Sequence, residues 1–293
     1  MSVTAVGVHT DLDGPLPVAR RFSLLATPGI VVEQAGPDDT PRWINGVIVD
    51  GYPDGVPQGW EPCTTGTNRV KDSTVGDTSP SDRFDPIAVY FPVECSSHGL
   101  GNPDRLIERV DKVLDATLSH GVENALANPV IFSTNPFLGD ASLVQLGGGA
   151  VSPQTGLGYL ENAIGENTGR QGLIHATPAI VAAWGFGSEL TFEGSDVDAP
   201  PGNSAIRTRN GTPVISGSGY IGADPIGKTA SGATTEWAFA TGLVQVRIAQ
   251  VAEAAVVDVI DRDDNTIVIR AERYVLYDWD TALQVGVLID WSL

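Results

Sequence analysis

Apolar and polar residues alternate most regularly near the end of the chain. Between residues 266 and 277 one parity is largely apolar, the pattern of a long strand with one buried face: Ile267, Ile269, Ala271 and Val275. The opposite parity is mixed, because it includes Arg270, Glu272 and Tyr274. A second apolar run covers residues 282–289. Because this end is so apolar, we expect it to be covered by its own domain or by a neighbouring copy.

One long amphipathic helix is predicted for residues 102–128. Asn102 is a good N-cap, Pro103 suits the first helical position, and Asp104 favours the positive end of the helix dipole. Apolar residues then recur at spacings of three and four: Leu106, Val110, Val113, Leu114, Leu118, Val122 and Leu126. We expect this helix to form a spine around which other elements pack.

Shorter runs predict further elements. Strands are expected at 87–95, at 172–176, around Val214 and Ile215, and in the segments TEWAFATG and LVQVRIAQV. A short helix is expected at 157–166, and another begins after Thr177, an N-cap followed by Pro178. Residues 76–86 read as a polar linker.

The first quarter of the chain has few apolar residues that could form a hydrophobic core. Residues 1–41 are interrupted by Pro15, Pro17, Pro28, Pro37 and Pro41, so they suit an extended arm on another surface. Residues 42–75 predict a long hairpin, with a strand at 43–49, a Gly/Pro-rich tip at 51–62 and a polar return strand. Such a hairpin is not stable alone and needs a partner surface.

Charge and cysteine content narrow the possible partners. Asp and Glu number 36 against 17 Lys and Arg, a formal charge of −19, which repels nucleic acid and acidic membranes. No apolar run approaches membrane-spanning length and no secretion signal is visible. Cys63 and Cys95 are the only cysteines, which favours free thiols in a reducing cytoplasm.

The segment GADPIGKT, from Gly222 to Thr229, matches the phosphate-loop pattern letter for letter. A phosphate loop must lead directly into a helix whose N-terminal amides bind the phosphates. The residues that follow, ASGATTEWAFATG, have no helical pattern. The sequence therefore favours a surface loop, with nucleotide binding kept as a minor alternative. The overlapping GSGYIG is interpreted as a turn cluster for the same reason.

Two other patterns concern metal binding. Asp261, Asp263 and Asn265 occupy calcium-loop positions, with Glu272 at the last one, but Thr266 stands where the sharp bend needs glycine. This segment therefore predicts a hairpin turn. The four histidines lack zinc-ligand spacing, and the Cys95–His98 pair has no second pair beside it. We predict no catalytic, cofactor-binding or metal-binding residues.

The order of the parts is an extended arm, a long hairpin, a strand, a spine helix, an α/β insertion and long terminal strands. This order resembles the major capsid protein of tailed bacteriophages, the α+β fold known as the Hong Kong 97-type fold. Two segments, RQGLIHATPAIVAAWG and RAERYVLYDWDTALQVGVLIDW, are similar to structural proteins of phages that infect actinobacteria. The resemblance is one of layout and covers most of the chain.

The resemblance implies a division into four parts. These are an N-terminal arm at 1–41, an extended loop at 42–75, a peripheral domain at 76–129 and 251–293 with its spine helix, and an axial domain at 130–250. In that family the arm and loop lie across neighbouring subunits. Contacts between subunits are accordingly expected at Trp43, Tyr52, Trp60, Lys71, Arg270, Glu272 and Tyr274.

The resemblance also implies a function. The chain would be a structural subunit, not an enzyme, forming hexamers and pentamers of an icosahedral head around double-stranded DNA that it contacts without sequence specificity. It would be made in the host cytoplasm, reside in the virion, need no cofactor or membrane, and meet scaffolding, portal or decoration proteins. Some family members crosslink subunits through a lysine, for which Lys71 is the one candidate in the hairpin. The alternatives are an encapsulin-like compartment, a tail component, or a nucleotide-binding enzyme using Gly222 to Thr229.

Overall fold

The computed structural model describes residues 17–36, 39, 41–49, 82–96, 103–130, 133–166, 171–193, 205–261 and 266–292. Its helices are α1 (Pro103–Ala127), α2 (Pro153–Glu166) and α3 (Pro178–Phe186). Its strands are β1 (Val31–Ala35), β2 (Val47–Val49), β3 (Asp82–Phe84), β4 (Ile87–Ser96), β5 (Val144–Gln145), β6 (Leu173–Ala176), β7 (Leu190–Glu193), β8 (Ala205–Thr208), β9 (Pro213–Ser216), β10 (Thr235–Thr241), β11 (Gln245–Asp261), β12 (Thr266–Asp278) and β13 (Gln284–Asp290). This mixture of helices and sheets confirms the predicted α+β class.

The long strands form a four-stranded sheet in the order β1-β11-β12-β4. β12 coincides with the strand predicted from alternation, and it pairs antiparallel with both β11 and β4. Asp261 pairs with Thr266, so β11 and β12 form a hairpin at the segment that resembles a calcium loop. This register confirms the hairpin interpretation, because a calcium loop of that type is flanked by helices.

A seven-stranded sheet follows the order β5-β13-β10-β6-β9-β8-β7. The helices α2 and α3 pack on one face of this sheet, against residues that include Ile174, Ala238 and Val287. Its other face carries Trp237 and Phe239, which belong to the same core as α1 and the four-stranded sheet. The spine helix is therefore part of the core that joins the two sheets.

The last strand departs from the predicted division of the chain. Residues 251–293 were expected to lie together in a peripheral domain, but β13 pairs with β10 in the seven-stranded sheet, with Trp237 opposite Leu288. The physical reason is that Val285, Val287 and Ile289 are buried, as are the residues between them. A strand that is apolar on both parities needs cover on both faces, and this sheet provides it, because Leu288 lies in the core with α1 and Val287 in the core with α2 and α3.

The predicted hairpin strand at 43–49 is partly wrong. Arg42–Asn45 form a 3-10 helix, and only Val47–Val49 form a strand. Gly46 separates the two with φ of 86°, a conformation that glycine adopts without strain. The turn directs Trp43 into the core. The partner of β2 is β3, which lies in the predicted linker, whereas the predicted tip and return strand at 51–73 lie outside the described residues.

The described part of the predicted arm packs on its own subunit. Leu24 and Ile30 are buried in the main core, and β1 pairs in parallel with β11. The expectation that residues 1–41 lie on another surface is therefore not met around Leu24, Ala26, Ile30 and Ala35, which are buried within the chain, whereas Val18 and Val32 are exposed. Residues 1–16 lie outside the described residues.

The spine helix confirms the apolar periodicity. Val110, Leu114, Leu118, Val122 and Leu126 are all buried. Asn102, the expected N-cap, lies outside the described residues. The second helix begins at Pro153, four residues earlier than expected, and the third has the predicted cap, since the Thr177 side chain accepts a hydrogen bond from the Ile180 amide.

Candidate assembly interface

The two faces of the four-stranded sheet have different environments. The face that includes Ile269, Ala271 and Val275 is buried with α1 in the main core. Side chains alternate along a strand, so Arg270, Glu272 and Tyr274 lie on the opposite face. Their partners on β4 are Pro92, Tyr90 and Ala88 respectively, all exposed. We call these six residues the outer face.

The outer face combines aromatic and charged side chains. The Arg270 guanidinium lies 6.0 Å from the centre of the Tyr90 ring and its Nε lies 3.3 Å from Glu272 Oε2. Tyr90 is 58% exposed and Tyr274 is 36% exposed. Tyrosine and arginine are enriched in protein interfaces, because both offer a large apolar area together with hydrogen-bond donors. This surface is therefore suited to contact with another protein chain.

Trp43 lies at one end of the same sheet face but is not exposed. It is 3% exposed and packs with Ala35, Ala249 and Leu276. The Trp43 side chain is thus buried in the subunit's own core, whereas the side chains of the outer face are partly or fully exposed. Tyr52, Trp60 and Lys71, the remaining predicted contacts, lie outside the described residues, as do Cys63 and the side chain of Cys95.

The segment that matches the phosphate-loop pattern forms turns. Gly222 and Gly227 have positive φ, and the chain continues from the loop through residues 230–234 into β10 with no intervening helix. The amides that would bind phosphate at a helix N-terminus are therefore not arranged in that way. Among the described residues, no three His, Cys, Asp or Glu side chains come together as metal ligands.

Comparison with solved structures identifies the fold. The capsid of a native GTA particle superposes with a TM-score of 0.51 at 12% sequence identity, over 98% of this chain and 95% of that chain. The chain has a capsid-protein fold.

Two further solved structures match over nearly their whole length. One is from Gordonia phage Cozz, with a TM-score of 0.48 and 13% identity, over 98% of this chain and 91% of that chain. The other is the holo-SrpI encapsulin complex from Synechococcus elongatus PCC 7942, with a TM-score of 0.49 and 16% identity, over 96% of this chain and 92% of that chain. Neither a protein-family model nor a curated protein matches the chain.

In this capsid-protein fold the outer face is supported from behind by an ion-pair cluster. The side chain of Arg273 is almost fully buried, and its Nη2 lies 2.7 Å from Asp111 Oδ1 and 2.8 Å from Asp115 Oδ1 on α1. Both aspartates are partly exposed, so their charges stay hydrated on one side. The cluster fixes β12 to the spine helix directly behind the outer face.

A buried carboxylate connects three segments of the fold. Glu123 on α1 accepts hydrogen bonds from the Leu24 amide at 2.9 Å, the Gly219 amide at 3.0 Å and the Ser119 hydroxyl at 3.1 Å. Burial raises the pKa of Glu123 above its ordinary value, although the three donors oppose this shift. The spine helix, the N-terminal segment and the 3-10 helix Ser218–Tyr220 are thereby held together.

A second polar cluster lies inside the seven-stranded sheet. The Nδ1 of His175 is 2.9 Å from the Tyr220 hydroxyl, and its Nε2 is 3.0 Å from Thr241 Oγ1. Thr241 donates its own proton to the Gly242 carbonyl, so it accepts from Nε2–H, which leaves Nδ1 to accept from Tyr220. Burial lowers the pKa of His175 to about 3. The histidine is therefore a neutral structural residue.

The sequence pattern missed several of these groups. Tyr90 was expected to lie in a strand, but its place beside Arg270 depends on the register between β4 and β12. Glu123 lies beside the apolar stripe of the spine helix, and two of its three hydrogen-bond donors, Leu24 and Gly219, are far away in sequence. The structure places His175 in the core.

Proposed function

We propose that this chain is the major capsid protein of a tailed phage, a structural subunit without enzymatic activity. The observation that carries this proposal is the capsid-protein fold, which extends over 98% of the chain. The subunit assembles into hexamers and pentamers of an icosahedral shell around double-stranded DNA. Scaffolding, portal and decoration proteins are its expected partners, and the virion is its final location.

The formal charge of −19 supports a role as a DNA container. An acidic inner wall repels phosphate, so the packaged genome does not adhere to the shell. Among the described residues, no helix combines the length and apolarity needed to cross a bilayer. The contact with DNA is expected to be independent of its sequence.

The proposed peripheral domain comprises α1 and the four-stranded sheet, and the proposed axial domain comprises the seven-stranded sheet with α2 and α3. The outer face belongs to the peripheral domain and meets a neighbouring subunit. Residues 50–75, the part of the predicted extended loop that lies outside the described residues, act as the extended loop. Lys71 is the only lysine in that segment and the one candidate for a crosslink there.

Assembly of the purified chain tests this proposal. Negative-stain microscopy and mass photometry of the expressed protein are expected to find closed shells at high concentration. Stacked rings or tubes would indicate a tail component instead. A monodisperse monomer with nucleotide-dependent thermal shifts would contradict a structural role and favour the alternative at Gly222 to Thr229.

Removing the two tyrosines of the outer face is expected to weaken assembly without unfolding the subunit. The double variant Tyr90→Ser, Tyr274→Ser should raise the concentration needed for shells by about tenfold or more, since truncating an interface tyrosine at a well-packed position costs about 1–2 kcal/mol. Light scattering against concentration measures this change, and circular dichroism verifies folding.

A matched control is Tyr159→Ser, which removes a tyrosine that is 42% exposed on α2. This variant should assemble at the wild-type concentration. Equal assembly of the wild type and the double variant would exclude the outer face as a subunit contact.

A further inference from the structure

β4 lies at the edge of the four-stranded sheet, with β12 on one side of it. It pairs with β12 at every residue from Ile87 to Ser96 without a shift in register, so the strand is regular along its whole length. Within the part of the chain that the structure describes, no strand pairs with its other side, which we call the open edge. Such an edge presents backbone N–H and C=O groups that a further strand can bind.

Pro92 indicates which residues of β4 direct their backbone groups to the open edge. A proline has no N–H, and in an edge strand it is tolerated where its nitrogen faces away from the neighbouring strand. Backbone groups alternate in direction along a strand, so the amides of Ala88 and Tyr90 also face the open edge, whereas those of Val89 and Phe91 face β12. Among the described residues, no turn or loop backbone forms a hydrogen bond with Ala88 or Tyr90.

A second proline limits the open edge at its other end. Pro86 directly precedes β4, so residues 87–91 are bounded by Pro86 and Pro92. Between these prolines, Ala88 and Tyr90 are the two residues whose amides face outward. Prolines on an edge prevent long strand pairing. Here their spacing leaves room for a short pairing that uses two donors from β4.

The open edge carries no charge, although the chain is strongly acidic. Residues 87–93 are all uncharged, and the nearest charges on either side are Asp85, which is paired with Arg83, and Glu94. At a formal charge of −19, two copies of this chain repel each other, so close contact between them favours a surface without charge. A basic partner would instead be attracted to acidic side chains, which residues 87–93 lack. The edge therefore suits a second copy of the chain.

We propose that β4 pairs antiparallel with β4 of a second copy, across a twofold axis at Val89. In this register Ala88 lies opposite Tyr90 of the copy, so both outward amides donate and both carbonyls accept. Pro86 and Pro92 then lie at the ends of the pairing, where the strands can diverge. A shift by two residues would place one of these prolines inside the pairing, where it offers no N–H to the carbonyl opposite. The contact is self-complementary, as a twofold interface requires.

This pairing continues the outer face into a second subunit. Tyr90 directs its side chain to the outer face and its backbone to the open edge, so the two four-stranded sheets would join into one. The inference rests on the proposed shell-forming function for the assembly in which the pair forms. It adds the strand, the register and the symmetry of one contact.

Hydrogen exchange of the wild type tests the pairing without any substitution. The Ala88 and Tyr90 amides should exchange freely in the unassembled subunit and about tenfold more slowly or less in shells. The Val89 and Phe91 amides face β12, so they should be protected in both forms and serve as an internal reference. Protection of Ala88 and Tyr90 already in the unassembled subunit would overturn the proposal, because the edge would then be covered within one chain. Equally fast exchange in shells would also overturn it.

A single cysteine tests the register. Val89 would lie opposite itself in a non-hydrogen-bonded pair, with Cα atoms about 4.5 Å apart, which is within the range for a disulfide. Val89→Cys, in a chain that also carries Cys63→Ser and Cys95→Ser, should give mainly covalent dimers when concentrated protein is treated with oxidised glutathione. Non-reducing electrophoresis measures the dimer fraction. The control Tyr159→Cys, at a side chain that is 42% exposed on α2, should give several-fold less dimer.

Proline substitutions on the same edge provide a second pair of variants. Ala88→Pro removes an outward donor and leaves the pairing with β12 intact, so it should raise the concentration needed for shells by about tenfold or more. Glu94→Pro is the matched control, because it removes an outward amide beyond the proposed pairing, and it should need no higher concentration than the wild type. Light scattering measures assembly, and circular dichroism verifies folding. Wild-type assembly of Ala88→Pro would contradict the pairing.

The failure of this inference can be distinguished from failure of the proposed function. Covalent dimers of Val89→Cys without shells of the wild type would retain the pairing and remove the shell-forming role. Shells without the crosslink would retain the role and overturn the twofold pairing. Protected Ala88 and Tyr90 amides without the crosslink would show that another strand or register binds the edge, which also overturns it.

Discussion

Alanine at position 219 is expected to lower the free energy of unfolding by about 3–5 kcal/mol. A Cβ at this glycine would lie 2.5 Å from the Asn124 amide nitrogen, the His120 carbonyl oxygen and the Glu123 Cβ. Two of these three atoms belong to the backbone of α1, which cannot give way as a side-chain tip can. The 3-10 helix must therefore move off the spine helix, and the Glu123 carboxylate then loses its donor at Gly219.

Urea unfolding of the unassembled subunit, followed by circular dichroism, measures this loss. Gly158→Ala is the matched control, because it lies on α2 with no heavy atom within 4 Å of the added Cβ. That variant should be as stable as the wild type or up to about 1 kcal/mol more stable, since alanine favours a helix interior. A Gly219→Ala variant within 1 kcal/mol of the wild type would contradict the close packing described for this contact.

The subunit is expected to lose stability in mild acid because of His175. Its pKa is about 3 in the folded state and 6.5 in the unfolded chain, so the unfolded state binds more protons between these values. The contribution of neutral His175 to the free energy of unfolding is fully present above pH 6.5. Below pH 6.5 this contribution falls by up to about 1.4 kcal/mol per pH unit. Protonating Nδ1 would also place a second donor against the Tyr220 hydroxyl, which now donates to it.

Glu123 contributes in the opposite direction. The pKa of Glu123 is raised in the folded state above its ordinary value of 4.5. Between the unfolded-state and folded-state pKa values the folded state therefore binds more protons, and the contribution of Glu123 to stability falls as the pH rises. Comparing His175→Gln with the wild type isolates the histidine, because both chains keep Glu123. The dependence of the unfolding free energy on pH, measured by urea titration between about pH 7 and 4.5, should be shallower in the variant. Equal slopes would contradict this, because they would mean that His175 binds protons equally well in the folded and unfolded states.

Elements with many periodic residues were predictable from the sequence. The spine helix and β12 each follow their period for more than ten residues, so local patterning determines them. The 3-10 helix at Arg42–Asn45 was missed because the apolar pattern predicted one strand over residues 43–49. The positive φ of Gly46 interrupts the extended backbone, so the strand begins only after this glycine. The position of β13 was missed because an apolar run does not reveal which sheet it joins.

The polar contacts could be predicted least. Glu123 binds the Leu24 amide 99 residues away, and Asn135 binds Asp85 across 50 residues. Nothing in the neighbouring sequence of either residue indicates its partner, since the contact exists only after the chain has folded. For the outer face the alternation along β12 was sufficient to group Arg270, Glu272 and Tyr274, whereas Tyr90 required the strand register.

The order of strands has a consequence for synthesis of the protein on the ribosome. β12 separates β11 from β4, and β13 separates β10 from β5, so each sheet has an interior strand encoded beyond residue 265. A nascent chain that ends before these strands contains no complete sheet and leaves apolar strand faces uncovered. Completion of both sheets therefore waits until β12 and β13 have emerged, and until then the nascent chain exposes apolar strand faces that chaperones can bind.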